Sequence, residues 1–334
     1  MNKHLSSESR IKHFKVLIRC LRRFELYKRK TDNKRYKLNF GTLSHEDLKE
    51  IEWSFFNEKE VYSVHPDIYD EVPYYTKQSV KTPQKNDDKK KSCVPEERGQ
   101  NYVSDMLIRF LSFIIWANDN NFANNNPFKN YSIQEPVYGT PIYISVEERK
   151  KLYEADFSEN PMLATQRDIF VFQTFIGCRV GDLIKFTYNN VINGNLEYIP
   201  KKTKDDRADT LVVPLSPTAI EIIERYRDER RNSLLPFISE QKYNEYIKEA
   251  FKLAGLDRMV TVINQRTRLE EQKPLYELAF SHMARRTFIG NIYKKVKYSN
   301  LVGSLSGHKE GSRAFARYRN IDDDIKKELI AYLE

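Results

Sequence analysis

The sequence predicts an α+β fold that is mainly helical, with a helical N-terminal domain and a mixed C-terminal domain. Apolar residues recur at three- and four-residue spacing over 10–27 and 102–117, as in helices with one buried face. Residues 191–215 instead contain short apolar and β-branched runs separated by turns, which predicts a small three-stranded antiparallel sheet. Residues 128–143 contain prolines and little periodicity, so we expect a linker there.

The first predicted helix, over 10–27, has an apolar face and a basic face. The apolar positions are Phe14, Leu17, Ile18, Leu21 and Phe24. The basic positions on the opposite side are Lys12, Lys15, Arg19, Arg22 and Arg23. This basic side is either the solvated face of a core helix or a surface that lies along DNA phosphates.

The rest of the N-terminal half is predicted from its caps and composition. Ser44 and Asp47 form a capping-box pattern, so a second helix should start there. Residues 60–77 are rich in tyrosine, proline and aspartate, and we expect them to be irregular. Residues 78–100 are polar and predict a loop.

The C-terminal half begins with the same kind of cap at Ser145, and a further helix is expected at 162–176. The turn Asn193-Gly194 joins the two strands of a predicted hairpin. A third strand is expected at 210–215, and the chain beyond it should be mainly helical.

The charge of the chain is concentrated at one end. Residues 1–40 carry 13 Lys and Arg against 3 Asp and Glu, whereas the remainder carries 43 against 44, and the net charge is +9. Because these basic residues fall on a predicted amphipathic helix, they belong to a folded element and not to a tail. The longest apolar stretch, Leu107–Ala117, is interrupted by Arg109 and is too short to cross a bilayer.

Several classes of protein are excluded by what the sequence lacks. The N-terminus has no uninterrupted apolar region of the kind a secretory signal needs. The three cysteines form no Cys-x-x-Cys pair, so neither a disulfide framework nor a zinc site is predicted, and a reducing cytosol fits. No glycine-rich phosphate loop is present, and we expect no cofactor.

Four short stretches of the C-terminal half contain the chemically informative residues. They are 177–183, 201–204, 282–288 and 307–318. Each is weak alone, since an arginine near an aspartate is usually an ion pair. His282 and His308 lack a third ligand and do not predict a metal site. In order, however, Arg, Lys, His-x-x-Arg, Gly-His and Tyr resemble the tyrosine recombinase (phage integrase) family, and Phe-Ser-His-x-x-Arg-Arg-Thr-Phe is similar to integrases of bacterial mobile elements.

The resemblance implies the domains and the partners. It implies a helical core-DNA-binding (SAM-like) domain over 1–128, a linker over 129–143 and a catalytic domain over 144–334. The partner would be double-stranded DNA, bound by a homotetramer, with room for accessory DNA-bending or directionality proteins. About ten residues precede the first helix, so the separate arm-binding domain that such integrases often carry is expected to be absent or removed. The implied location is the bacterial cytoplasm, at the nucleoid.

The end of the chain has two interpretations. A final helix over 322–333 would present one apolar stripe, formed by Ile325, Leu329, Ile330 and Leu333. The stripe either packs on its own domain or, as the resemblance implies, is exchanged between subunits.

The resemblance also implies roles for the motif residues. Arg179 and Arg285 would clamp the scissile phosphate, and His308 would donate a further hydrogen bond to it. Tyr318 would attack phosphorus and form a 3′-phosphotyrosine. The interval from His308 to Tyr318 is one residue longer than in many relatives. The other nearby tyrosines are Tyr293, Tyr298 and Tyr332.

Proton transfer would fall to the remaining motif residues. Lys202 would protonate the leaving 5′-oxygen, although Lys201 and Lys204 are alternatives. His282 would exchange the tyrosine proton, and Asp182 would brace Arg179 or His282.

The implied activity is site-specific cleavage and rejoining of DNA strands without metal or ATP, for integration or excision of a mobile element. The alternatives are a Xer-like resolvase of chromosome or plasmid dimers, a type IB topoisomerase-like enzyme, and a DNA-binding regulator without activity.

Overall fold

The computed structural model describes residues 8–74, 94–201, 209–295 and 299–307, and it confirms the mainly helical α+β class. The helices of the N-terminal half are α1 (Glu8–Thr31), α2 (His45–Phe56), α3 (Glu58–Val64), α4 (Asp67–Glu71) and α5 (Gln100–Asp119). Those of the C-terminal half are α6 (Val146–Glu154), α7 (Pro161–Ile176), α8 (Val180–Leu183), α9 (Pro217–Arg225), α10 (Glu240–Leu253), α11 (Ser281–Lys295) and α12 (Ser299–Ser306). The strands are β1 (Val191–Ile192), β2 (Asn195–Tyr198), β3 (Leu211–Pro214), β4 (Met259–Ile263) and β5 (Glu270–Pro274).

The described residues form two compact units. The first contains the described residues up to Tyr138 together with Ile263–Leu269, and the second contains the others, from Gly139 onwards. None of the helices in the described ranges combines the length and the apolar composition needed to cross a membrane.

Helices α1, α2 and α5 build the core of the first unit. Their apolar faces meet through Leu17, Phe24, Ile51 and Phe110, which are all buried. The predicted capping box at the start of α2 is present, because the Ser44 side chain accepts from the Asp47 N–H and the Asp47 carboxylate accepts from the Ser44 N–H. The helices predicted at 10–27 and 102–117 are confirmed and are a few residues longer than expected.

The burial of Ile18 and Arg23 in α1 is the opposite of what the sequence pattern predicts. Ile18, expected in the core, is 53% exposed, and Cys20 is buried in its stead. Arg23, expected on the exposed basic face, is only 4% exposed. The reason is that α3 and α4 cover this side of α1, where Glu58 forms an ion pair with Arg23.

The expectation of irregular structure over 60–77 is wrong for its first part. The helices α3 and α4 lie there, with seven and five residues, and they pack on α1 through Val61, Ile68 and Tyr69. Helices this short contain too few turns to display a periodic pattern. The polar loop predicted at 78–100 lies outside the described residues up to 93, and 94–99 form no helix or strand.

Helix α7 is the central element of the second unit and packs against α9, α10 and α11. The predicted hairpin and third strand are confirmed as an antiparallel sheet in the order β1-β2-β3. Its turn residues Asn193 and Gly194 both have positive φ, as a tight hairpin turn requires. The second, two-stranded sheet formed by β4 and β5 was not predicted.

Candidate active site

The turn that carries Arg179 begins at the end of α7. Gly177 ends this helix with φ +68°, and a Cβ at this position would lie 2.3 Å from the Phe288 ring, so both its conformation and the space around it favour glycine. Cys178 follows and is completely buried. Arg179 then precedes α8 and is half-buried. In the described part of the chain, its guanidinium forms no hydrogen bond or ion pair.

Arg285 lies in α11 and is almost completely buried. Its Nη1 donates to the carbonyl of Gly177 at 2.7 Å, and its Nη2 donates to the carbonyl of Ser306 at 2.7 Å. These carbonyls stand at the C-terminal ends of α7 and α12, where helix dipoles concentrate partial negative charge. Arg285 therefore joins the two helix ends and lies beside the turn of Arg179, although Gly177 and Arg285 are 108 positions apart in the sequence.

Burial and the charged side chains around this turn shift the pKa of two buried groups, the Cys178 thiol and the Tyr198 phenol. Burial raises the pKa of the Cys178 thiol, Asp182 raises it further, and Arg285 and Arg179 oppose the rise. Burial likewise raises the pKa of Tyr198, which the same charged side chains influence. Both groups therefore stay neutral, and the two motif arginines and Asp182 share one neighbourhood.

Asp182 connects this neighbourhood to the end of β2. Its carboxylate is buried, and Oδ1 accepts a hydrogen bond from the backbone N–H of Lys201 at 2.9 Å. Within the described ranges, this bond goes to the main chain beside the candidate lysines and not to Arg179 or His282.

His282 lies one turn before Arg285 on α11 but in a different environment. His282 is exposed, whereas Arg285 is buried. The imidazole stacks on the Phe280 ring, with the ring centroids 6.3 Å apart. One helix therefore presents a histidine to solvent and a buried arginine to the turn of Arg179.

The residues after Arg285 connect α11 to Ile144 and to Gly177. Thr287 Oγ1 accepts from the N–H of Ile144 at 3.3 Å, and Asn291 donates to the carbonyl of Ile144 at 3.2 Å. Phe288 packs on Gly177. Phe288 of the Arg-Thr-Phe run thus packs α11 on the turn of Arg179, whereas Thr287 connects the helix to Ile144.

Gln173 is a residue that the sequence reasoning missed. It is completely buried in α7, and its Nε2 donates to the carbonyl of Cys178 at 3.0 Å. The available signal was the polar pair Gln173-Thr174 inside an otherwise apolar helix segment, since polar groups must be satisfied when buried.

Several predicted residues lie outside the described residues. These are Lys202, Lys204, His308, Tyr318, Tyr298, Tyr332 and the final helix at 322–333. Tyr293 is described and is half-buried in α11. Among the side chains that the structure describes, no group of three His, Cys, Asp or Glu residues could hold a metal ion.

The outward side of α1 mixes cations with isoleucines. Lys15 and Arg22 are exposed, and Arg19 is half-buried with an Nε that has no hydrogen-bond partner among the described residues. Ile11 and Ile18 are exposed on the same side of the helix. Residues 9–24 contain no acidic side chain, so this surface is positive along more than three turns.

Comparison with known proteins rests on structure. No protein-family model and no curated protein sequence matches the chain. A lambda integrase dimer bound to a COC′ core site matches with a TM-score of 0.60 and 14% identity, over 96% of this chain and 91% of that one. XerH site-specific recombinase bound to a palindromic difH substrate matches with a TM-score of 0.55 and 14% identity, over 100% and 92%.

A third match is the Tn1549 transposon integrase in complex with transposon right-end DNA. Its TM-score is 0.54 with 10% identity, over 98% of this chain and 95% of that one. At such low identity the likeness concerns the fold, which is the fold that the sequence resemblance implied. The chain therefore has the fold of the tyrosine recombinases.

Proposed function

We propose that this protein is a tyrosine recombinase that cleaves and rejoins DNA strands at a specific site through a 3′-phosphotyrosine. The observation that carries the proposal is the contact of Arg285 with Gly177, which brings two arginines from distant parts of the sequence to one turn. Two guanidinium groups that extend from one neighbourhood are suited to the non-bridging oxygens of a phosphodiester. Fold-level likeness to recombinases adds support.

The contacts of Arg285 suit the clamp. Backbone carbonyls orient its guanidinium and, unlike a carboxylate, carry no full charge that would cancel its own. Arg179 has no hydrogen-bond or ion-pair partner in the described residues, so its donors can turn to a phosphate. The pair would stabilise the charge that develops on phosphorus oxygens during attack.

The chemical step uses the remaining motif residues. The Tyr318 oxygen attacks phosphorus, a P–O bond to tyrosine forms, and the bond to the 5′-oxygen breaks. His282 accepts the tyrosine proton, and Lys202 supplies a proton to the 5′-oxygen. His308 donates a hydrogen bond to a non-bridging oxygen. Asp182, through the Lys201 backbone, would fix the segment in which the lysine lies. The 5′-hydroxyl of another strand reverses the step, so rejoining requires no ATP.

The first unit would bind the DNA duplex as a core-binding domain, and the second unit would be the catalytic domain. The positive outer side of α1, with Lys15, Arg19 and Arg22, would contact phosphates, while Arg23 is excluded by its burial. Structurally similar lambda integrase has been captured as a tetramer on a Holliday junction. A homotetramer on DNA, in the bacterial nucleoid, is the corresponding assembly here, with the final helix exchanged between subunits.

Two biological roles fit this chemistry. Integration or excision of a mobile element is our first choice, because of the sequence likeness at 280–288. Resolution of chromosome or plasmid dimers is the second, since XerH and the Tn1549 integrase match the fold almost equally well.

Covalent capture tests the proposal with a DNA library in place of a single chosen site. The full chain is incubated with a library of nicked duplexes that carry a randomised segment, and protein-linked DNA is recovered after denaturation and sequenced. We expect recovery of one sequence class, linked through its 3′-phosphate. If no protein-linked DNA is recovered above a no-protein control, the proposed activity is wrong.

Two tyrosine variants identify the nucleophile. Tyr318→Phe should abolish the adduct, whereas Tyr293→Phe should retain it. An adduct that persists in Tyr318→Phe would contradict the assignment of the nucleophile while leaving strand cleavage itself intact.

A further inference from the structure

A buried pair of side chains outside the recognised motifs holds the turn of Arg179. The Tyr243 hydroxyl in α10 donates to Gln173 Oε1 at 3.0 Å, and Gln173 Nε2 donates to the Cys178 carbonyl at 3.0 Å. Tyr243 and Gln173 are both completely buried. An unbroken chain of hydrogen bonds therefore runs from α10 to the residue before Arg179.

The direction of these hydrogen bonds is determined by the groups present. A phenol this deeply buried has a pKa raised well above its ordinary value, so Tyr243 keeps its proton and donates. The Gln173 carbonyl must then accept, which leaves its amide group to donate to Cys178. A buried network in which every member is satisfied is rigid.

The Cys178 carbonyl belongs to the same planar peptide group as the Arg179 N–H. Holding this carbonyl therefore fixes the orientation of the peptide plane from which Arg179 extends. The neighbouring contacts act one residue earlier, since Arg285 binds the Gly177 carbonyl and the Gly177 N–H bonds to the backbone of Gln173. Gln173, held by Tyr243, thus contacts the peptide group that leads into Arg179 from the N-terminal side, while the Arg179 carbonyl accepts from the N–H groups of Asp182 and Leu183.

The next residue of α10 contacts the other part of the candidate site. Asn244 Oδ1 accepts a hydrogen bond from the N–H of Ser281 at 2.8 Å, and Ser281 is the first residue of α11. His282 and Arg285 follow on that helix. Two consecutive residues of α10 are therefore linked to two of the four candidate stretches, Tyr243 through Gln173 and Asn244 through Ser281.

We infer that Tyr243, acting through Gln173, is a positioning residue that presets the direction of Arg179 before DNA binds. The inference rests on the proposed function for its consequence, because a misdirected guanidinium matters only if it must meet a phosphate. Its structural part, the ordering of residues 178–183, stands independently of any activity. A shift of about 1 Å at a clamping group can slow a reaction by on the order of 100-fold.

The main test compares Tyr243→Phe with Tyr246→Phe, a matched control on the same helix. The Tyr246 hydroxyl has no hydrogen bond within the described residues. Single-turnover rates of adduct formation are measured on the captured DNA, at a temperature where circular dichroism shows every variant folded. We expect Tyr243→Phe to lower the rate by at least about tenfold with unchanged DNA affinity, and Tyr246→Phe to leave both unchanged.

A double-mutant cycle separates positioning from general destabilisation. In an Arg179→Lys background, Tyr243→Phe should lower the rate much less than in the wild type, because the group that it directs is already altered. An equal loss in both backgrounds would overturn the inference, as would equal rates for Tyr243→Phe and Tyr246→Phe.

Amide hydrogen exchange gives a measurement that needs no DNA. The N–H groups of Asp182 and Leu183 bond to the Arg179 carbonyl, so they report on the order of this turn. Tyr243→Phe should speed their exchange, and Tyr246→Phe should not. Unchanged exchange in Tyr243→Phe would overturn the inference, whereas absence of any adduct in the wild type would overturn only the proposed function.

Discussion

Two arginines are buried to similar depth, one in each unit, and their partners differ. Arg23 donates through Nε to Glu58 Oε1 at 2.8 Å and also contacts the Cys20 sulfur. Arg285 donates to two backbone carbonyls at helix ends. A carboxylate cancels the charge of an arginine, whereas carbonyl groups orient it and carry only partial charge. Burial alone thus does not distinguish these two arginines, whereas the charge of the partners described for each one differs.

The largest expected effect concerns the stability of the first unit. Arg23→Met leaves Glu58 buried without its close partner, since Arg98 is 3.9 Å away. We expect the free energy of unfolding to fall by about 3–5 kcal/mol, measured by urea denaturation. The double variant Arg23→Met/Glu58→Met should recover most of this loss. A double variant as unstable as the single one would show that the loss does not come from leaving Glu58 buried without a partner.

The next largest effect is expected on the rate of adduct formation and concerns Arg285 of the second unit. Arg285→Lys keeps a positive charge but loses the planar fork, so adduct formation should slow by about 100–1000-fold in a single-turnover assay. Arg23→Lys is the matched control and should leave the rate unchanged. If both variants slow the reaction equally, the distinction drawn from their partners fails.

A smaller effect is expected for the exposed cations of α1. Replacing Lys15 and Arg22 by glutamine removes two candidate phosphate contacts, so the slope of log binding constant against log salt concentration should become less steep by about one per contact. Titrations at several salt concentrations measure this slope. Lys248→Gln, which removes an exposed lysine of α10, is the control. An unchanged slope would return the outer side of α1 to an ordinary solvated face.

The smallest expected effect concerns stability and compares the same kind of helix cap in the two units. Ser44 and Ser145 each begin a helix with a complete capping box. Ser44→Ala and Ser145→Ala should each lower the free energy of unfolding by about 1 kcal/mol. Denaturant unfolding, with Ser63→Ala in α3 as a control away from a helix start, checks this. If only one of the two variants lowers the free energy of unfolding, contacts around the other helix start must compensate for the loss of its cap.

Features that depend on neighbours in sequence were predictable, and features that depend on distant partners were not. The capping boxes and the Asn193-Gly194 hairpin follow from a few adjacent residues, and both are present. The difference between Lys15 and Arg23 depends on Glu58, which lies 35 positions beyond Arg23, so a helical pattern could not reveal it. The strand β5 has no alternation of apolar and polar residues, so its sequence does not predict a strand.

The candidate site shows the same division. The order of motif residues pointed to Arg179 and Arg285 together, and their segments do meet. Gln173 belongs to no spacing pattern, because its role comes from a carbonyl five positions later and a phenol on another helix. Sequence patterns thus identify groups that would act on a substrate more readily than the groups that hold them.

Each unit also buries a thiol near the arginine compared above, namely Cys20 near Arg23 and Cys178 near Arg285. Burial raises the pKa of Cys20 to about 12, with a further contribution from Glu58, and burial raises the pKa of Cys178 as well. Because disulfide reagents react with the thiolate, labelling at about pH 8 requires that the surrounding unit first open. In a Cys93→Ser background, the labelling rates of Cys20 and Cys178 would measure how fast each unit opens. Measured against temperature or denaturant concentration, these two rates would show which unit unfolds first.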